Sequence, residues 1–228
     1  MERGMLGFAL VSVKHALLPP GPRFRRIALG PAAGCVMSID LHHHLRHFLG
    51  LYEFELIPHL KALIKPGYKC FYVGGQGGYD ALIMANTSRA PVVSFECDAK
   101  AAEVMRETFG RNPAFEIQVA EVFVGDINDG RHMTIDEAAC EFFVPDFIKI
   151  DIEGSEDEAL RGAASVLSRR GPGLIIETHA VDKEEFCLGL LRSHGYSPLI
   201  VDRRRWFGEH RPLAHNRWIV CRGADRVP

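Results

Sequence analysis

The chain lacks the spacings that would assign a function at sight. Its six cysteines (35, 70, 97, 140, 187 and 221) contain no C-x-x-C pair and no zinc-ligand spacing. Four of them sit in apolar or strand-like runs, so buried free thiols and a reducing compartment are expected. No apolar run reaches the roughly 20 residues of a membrane helix. Met5 to Leu18 is interrupted by Lys14 and His15, ends at Pro19-Pro20 and carries no small-residue cleavage pattern. There is no internal repeat or low-complexity tract. A basic excess is missing too: 27 Lys+Arg stand against 29 Asp+Glu. That removes the general electrostatic case for a nucleic-acid partner. The expectation is a soluble cytoplasmic protein.

What is there is a chain of 228 residues, 47% hydrophobic, enough for one sizeable core. Its texture changes near residue 66. Before that point, two strand-like runs between Arg25 and Asp40 flank Gly-Pro-Ala-Ala-Gly and read as a hairpin. Phe54, Ile57, Leu60, Leu63 and Ile64 then recur at helical spacing up to Pro66-Gly67. We expect an N-terminal extension, 1–65, able to cap a cleft or build a dimer contact, and a main domain, 66–228.

From residue 70, short apolar runs alternate with helical patterns. The runs are Cys70–Val73, Pro91–Phe95, Phe115–Val119, Phe147–Ile150 and Leu174–Ile176. Asp98 should cap one helix. Ser155 with Glu158, and Asp182 with Glu185, form capping-box patterns for two more. This alternation means an α/β fold, a mainly parallel sheet covered on both faces. Tyr196–Val201 and Asn216–Cys221 read as a closing strand pair without a helix.

Open α/β sheets bind ligands beyond the carboxyl ends of their strands, so the chemistry is sought there. The first strand ends in Gly74-Gly75-Gln76-Gly77-Gly78, glycine-dense but without the G-x-G-x-x-G register or a P-loop lysine. The second ends in Glu96-Cys97-Asp98, with Glu96 placed to accept from ribose hydroxyls. The fourth ends in Lys149-Ile150-Asp151-Ile152-Glu153-Gly154. On an extended strand Asp151 and Glu153 would share a side. The fifth ends in Glu177-Thr178-His179, adding an acid and an imidazole.

Together with Gly162-Ala163 downstream and Gly50-Leu51-Tyr52-Glu53 upstream, these segments resemble the FkbM family of S-adenosylmethionine-dependent methyltransferases over about residues 50–222. The run Ile148 to Gly154 is the most specific part. The resemblance implies a Rossmann-like class I methyltransferase fold, with a seven-stranded, mostly parallel sheet, an antiparallel last strand and helices on both faces. It implies S-adenosyl-L-methionine held by Tyr72, Gly74, Gly75, Gly78, Glu96 and Cys97, with Ala120 and Glu121 near the adenine. Asp151 and Glu153 then match the pair beside the transferring methyl group. The family usually has an acid two positions before the first glycine, where this chain has Tyr72. Catalytic roles fall to Asp151, His179 and Glu153, with His179 or Asp151 as general base for O-methylation of a small-molecule or sugar hydroxyl. A divalent cation on Asp151, Glu153, Glu177 and His179 is the less favoured alternative. A catalytically inactive methyltransferase-fold scaffold is the competing function, and a homo-oligomer stays open.

Two further features carry weaker readings. His42, His43, His44 and His47 read as a solvated face rather than a metal cluster. Arg203-Arg204-Arg205, with Trp206, Phe207 and Trp218 nearby, reads as either an acceptor-holding feature or a solvated turn plus core packing.

Overall fold

The computed structural model describes residues 18–169, 171–203 and 215–223. The triple arginine (apart from Arg203), Trp206, Phe207 and the apolar N-terminal run up to Leu17 lie outside them. Among the described residues no helix is long and apolar enough to cross a membrane.

The described residues open with a hairpin, β1 (Arg23–Arg26) and β2 (Val36–Ile39), paired antiparallel around the expected glycine turn. A short α1 (Leu45–Phe48), a 3₁₀ turn (Phe54–Leu56) and α2 (Ile57–Leu63) follow. The core then runs β3 (Cys70–Val73), α3 (Tyr79–Ser88), β4 (Val92–Phe95), α4 (Ala99–Gly110) and β5 (Ile117–Ala120). A two-residue ladder, β6 (Phe123–Val124) with β7 (His132–Met133), leads to α5 (Ile135–Glu141) and β8 (Phe147–Ile150). After β8 come α6 (Glu156–Arg161), α7 (Ala164–Arg169), β9 (Gly173–Thr178), α8 (Val181–Ser193), β10 (Leu199–Asp202) and β11 (Arg217–Cys221).

Seven strands form one sheet in the order β10-β11-β9-β8-β3-β4-β5. All neighbours are parallel except β11, which runs against both β9 and β10. The chain winds outward from β3 to β5 and then restarts at β8 on the other side of β3. The order therefore reverses between β3 and β8, where α/β sheets open a ligand crevice.

Residues alternate between two cores, as strand geometry requires. Cys70, Tyr72, Phe147, Ile175 and Trp218 face one cluster, whereas Phe71, Val73, Ile148, Ile176 and Ile219 face the other. The first cluster also takes in Ile27, Cys35, Leu56 and Leu60 from the N-terminal segment, together with Leu82 and Met84 of α3. This explains why α3 has no polar stripe. It is pressed between the sheet and the N-terminal segment and is buried nearly all round. Asn86 of α3 fastens the overlay by donating to the Pro31 carbonyl at 2.8 Å.

Asp98 caps α4 as expected, accepting from the Ala101 N–H at 2.8 Å. Two other caps differ from expectation. Ser155 precedes α6 but its hydroxyl makes no capping bond. α8 starts from Ala180, so Asp182 lies inside its first turn. The helix expected after Ser155 is followed by a second one: the Gly162 carbonyl accepts from the Asp136 N–H at 2.9 Å, and the Asp136 carboxylate accepts from the Ser165 and Val166 N–H groups at 2.8 Å at the start of α7. Cys35, Cys70, Cys187 and Cys221 are buried free thiols, and Cys97 and Cys140 are exposed ones.

Candidate active site

The ends of β8 and β9 bring three of the expected residues together. One ligand atom each from Asp151, Glu177 and His179 lies within 4.8 Å of the other two. Glu153 does not join them. β8 ends at Ile150, the backbone turns, and Glu153 points to solvent. The shared-side expectation fails because alternation holds only while the chain stays extended.

Each member of the group is held from behind. His179 Nδ1 is 2.5 Å from Glu156 Oε1, and the same oxygen accepts the His179 backbone N–H at 3.2 Å. The ring's Nε2 stands 3.6 Å from Glu177 Oε1. Glu177 accepts from Trp218 Nε1 at 3.1 Å and from the Asn216 side-chain amide. Trp218 is therefore a core residue with a polar duty. Burial alone would push the His179 pKa down, but its hydrogen bonds to Glu156 and Glu177 outweigh burial and lift it to about 10. The imidazole is a fixed cation at neutral pH and is already protonated, so it is poorly placed to act as a base. Asp151 moves the opposite way in charge. Burial first, then the neighbouring Glu177, push its carboxyl well above the ordinary range, and Lys149 only partly offsets them.

Beneath this group sits a buried ion cluster that sequence reasoning missed. Lys149 Nζ is 2.7 Å from Glu53 Oε2, 2.6 Å from Asp80 Oδ2 and 3.7 Å from Asp151 Oδ2. Lys149 is fully buried, and Glu53 and Asp80 nearly so. Burial alone would discharge the ammonium, but Asp80 and Glu53 outweigh it and hold it charged. Tyr72, which fills the family's usual acidic position, is Lys149's register partner across β3 and β8, its ring centroid 5.6 Å from Nζ. It too is buried, and burial raises its phenol pKa well above normal. The only sequence signal for this cluster was a lysine inside an otherwise apolar strand.

The glycine-rich turn closes against the protein's own chain. Gly74, at φ +92°, has space for no Cβ, since one would stand 1.8 Å from the Asp151 carbonyl oxygen. A Cβ on Gly75 or Gly78 would strike Met105 or Phe109 of α4. The Gly74 and Gly75 N–H groups both donate to the Phe95 carbonyl at 3.1 Å, so the turn is joined to the end of β4 immediately before Glu96. Glu96 Oε1 accepts from the Asp98 N–H at 2.9 Å, and Cys97 is exposed beside it. At the end of β5, the Ala120 carbonyl accepts from the Glu96 N–H at 3.0 Å. Glu121 is exposed and paired with Arg106 at 2.8 Å.

The histidine run divides. His43 and His44 are exposed, as expected of a solvated face, but His47 turns inward. Its ring stacks on Tyr52 at 4.0 Å and meets Tyr79 edge-on at 4.9 Å. Burial, aided by His44, lowers its pKa to about 4, so it is neutral.

Solved structures share this architecture. M. jannaschii TYW2 in complex with AdoMet aligns with a TM-score of 0.56 at 11% identity, covering 90% of this chain and 86% of that one. The methyltransferase FkbM of Methylobacillus flagellatus KT aligns at 0.55 with 22% identity, over 68% of this chain and 43% of that one. Precorrin-6y C5,15-methyltransferase of Geobacter metallireducens GS-15 aligns at 0.52 with 14% identity, over 74% and 86%. At these identities the likeness establishes a class I methyltransferase fold. No curated protein matches the chain. The family model for the methyltransferase FkbM domain matches residues 43–211. That span includes the Lys149 cluster, the strand-end acids and the glycine-rich turn, and the chain belongs to the FkbM family of methyltransferases.

Proposed function

We propose that the protein transfers the methyl group of S-adenosyl-L-methionine to a hydroxyl oxygen of a small molecule or sugar, with Asp151 receiving the hydroxyl proton. The observation that carries this reading is the division of charge at the ends of β8 and β9. His179 is locked as a cation by Glu156 and Glu177, while the Asp151 carboxyl titrates far above its ordinary range. His179 already holds its proton, so Asp151, the carboxylate grouped with it at the strand ends, is the group left to receive one.

The residues fit the cofactor. The glycine turn and Glu96 stand side by side on adjacent strand ends, the arrangement that suits backbone approach to one part of a nucleoside ligand and a carboxylate on its ribose. The excess of carboxylates around the switch point complements a positive sulfonium. When bound, the cofactor supplies an electrophilic methyl carbon. Methyl transfer from it to a hydroxyl would leave S-adenosylhomocysteine and release the hydroxyl proton, which Asp151 would take. His179 faces the same place as a fixed positive charge that orients the acceptor. Positioning of this kind supplies much of the rate in a displacement with little other covalent chemistry.

The test is calorimetry with S-adenosylmethionine and S-adenosylhomocysteine, then transfer of labelled methyl to a panel of sugars and phenols. We expect binding of both cofactor forms and labelled product from hydroxyl acceptors, with turnover lost in Asp151→Ala. Full turnover in Asp151→Ala, or product only from amine acceptors, overturns the reading.

A further inference from the structure

Lys149, Glu53 and Asp80 take no direct part in the reaction just described, yet they join three separate parts of the fold. Lys149 is on β8. Glu53 arrives from the N-terminal segment at φ +44°, a conformation a residue with a Cβ adopts only at a cost. Asp80 is the second residue of α3, two positions beyond Gly78, the last glycine of the turn.

The turn is consequently gripped at both ends by the stretch 149–151. At its start Gly74 lies against the Asp151 carbonyl with no space for a side chain. At its exit Asp80 is ion-paired to Lys149 at 2.6 Å. The same ammonium stands 3.7 Å from the Asp151 carboxylate. The neighbouring position on β3 is Tyr72, so Lys149 draws its carboxylates from a helix start and from the N-terminal segment.

We propose that Asp80 is a positioning residue for cofactor binding. Acting through Lys149, it holds the exit of the glycine-rich turn against β8 and keeps the turn and Asp151 in one fixed relation. Glu53, the second carboxylate on the ammonium, extends the same grip to the N-terminal segment. The inference rests on the reading of this cleft as the S-adenosylmethionine site.

The experiment measures S-adenosylmethionine affinity by calorimetry and thermal unfolding on the full chain. It compares Asp80→Asn, Asp80→Glu and the neutral triple variant Glu53→Gln/Asp80→Asn/Lys149→Met. Removing all three charges together avoids the uncompensated buried charge that makes removal of one partner costly. We expect the triple variant to unfold near the wild-type temperature but to bind about tenfold or more weakly, because the turn is released. Asp80→Glu should retain most of the affinity that Asp80→Asn loses. A folded triple variant that binds within about twofold of wild type would overturn the proposal. So would equal affinities in Asp80→Glu and Asp80→Asn, which decides the matter if the triple variant does not fold. Failure of the unaltered chain to bind the cofactor would overturn the cofactor reading itself, and this inference with it.

Discussion

His179 Nδ1 stands 2.5 Å from Glu156 Oε1, so the ring at the reaction end of β9 is tied to the first residue of the helix that follows β8. This pair keeps the imidazole protonated, and its pH dependence has a defined sign. The folded pKa, about 10, exceeds the ordinary 6.5. The stabilisation is therefore complete below about pH 6.5, declines between there and about 10, and is absent above. Urea unfolding at pH 6, 8 and 10 should show this decline, and Glu156→Gln should flatten it. An NMR titration of the His179 ring in that variant should place its pKa nearer neutrality.

Asp151 shifts for a different reason, and Glu177 is the lever. The limb of kcat/KM that rises with pH should report Asp151 losing its proton. Glu177→Gln removes the adjacent negative charge, so the limb should move to lower pH. A limb that stays in place in Glu177→Gln would mean that another group controls it.

Lys149→Ala leaves Glu53 and Asp80 buried beside an empty space. Removing one partner of a buried ion group typically costs about 3–5 kcal/mol. Urea unfolding should show a loss of that size, largely recovered when both carboxylates are neutralised in the same chain.

Gly74→Ala should be worse tolerated than Gly154→Ala. A Cβ at 74 meets a backbone oxygen at 1.8 Å, whereas one at 154 meets nothing within 4 Å, although both positions have positive φ. Thermal unfolding of the two alanine variants tests the contrast. Equal losses would show that dihedral strain, not contact, sets the cost.

Much of the sheet was legible because its strands declare themselves locally. Phe147–Ile150 and Cys70–Val73 are apolar runs bounded by turn residues, and the sheet forms them with those limits. The break at Gly162 was not legible, since the residue bonded on both sides of it is Asp136 of α5, well before it in the chain. Asp151, Glu177 and His179 were singled out by their strand-end positions, and the structure sets one ligand atom of each within 4.8 Å of the others. Lys149 and Glu53 are 96 residues apart, and no local pattern links them. His179 read as a base because an isolated imidazole titrates near neutrality, and only the two glutamates folded against it change that. Glu153 was placed by an alternation that stops three residues earlier.

The reversed direction of β11 has a consequence for how this cleft varies. In an all-parallel sheet the start of every strand lies at the far end from the chemistry. Here Arg217 pairs with Thr178 and Asp202, so β11 begins where β9 and β10 finish. Asn216 and Trp218 reach Glu177 for that reason alone. The connection between Asp202 and Arg217 leaves and re-enters at the end of the sheet where Glu177 and His179 lie. Residues can be added or exchanged within that connection without altering the register of any strand. A change of length there would leave Asn216 and Trp218 seated on Glu177.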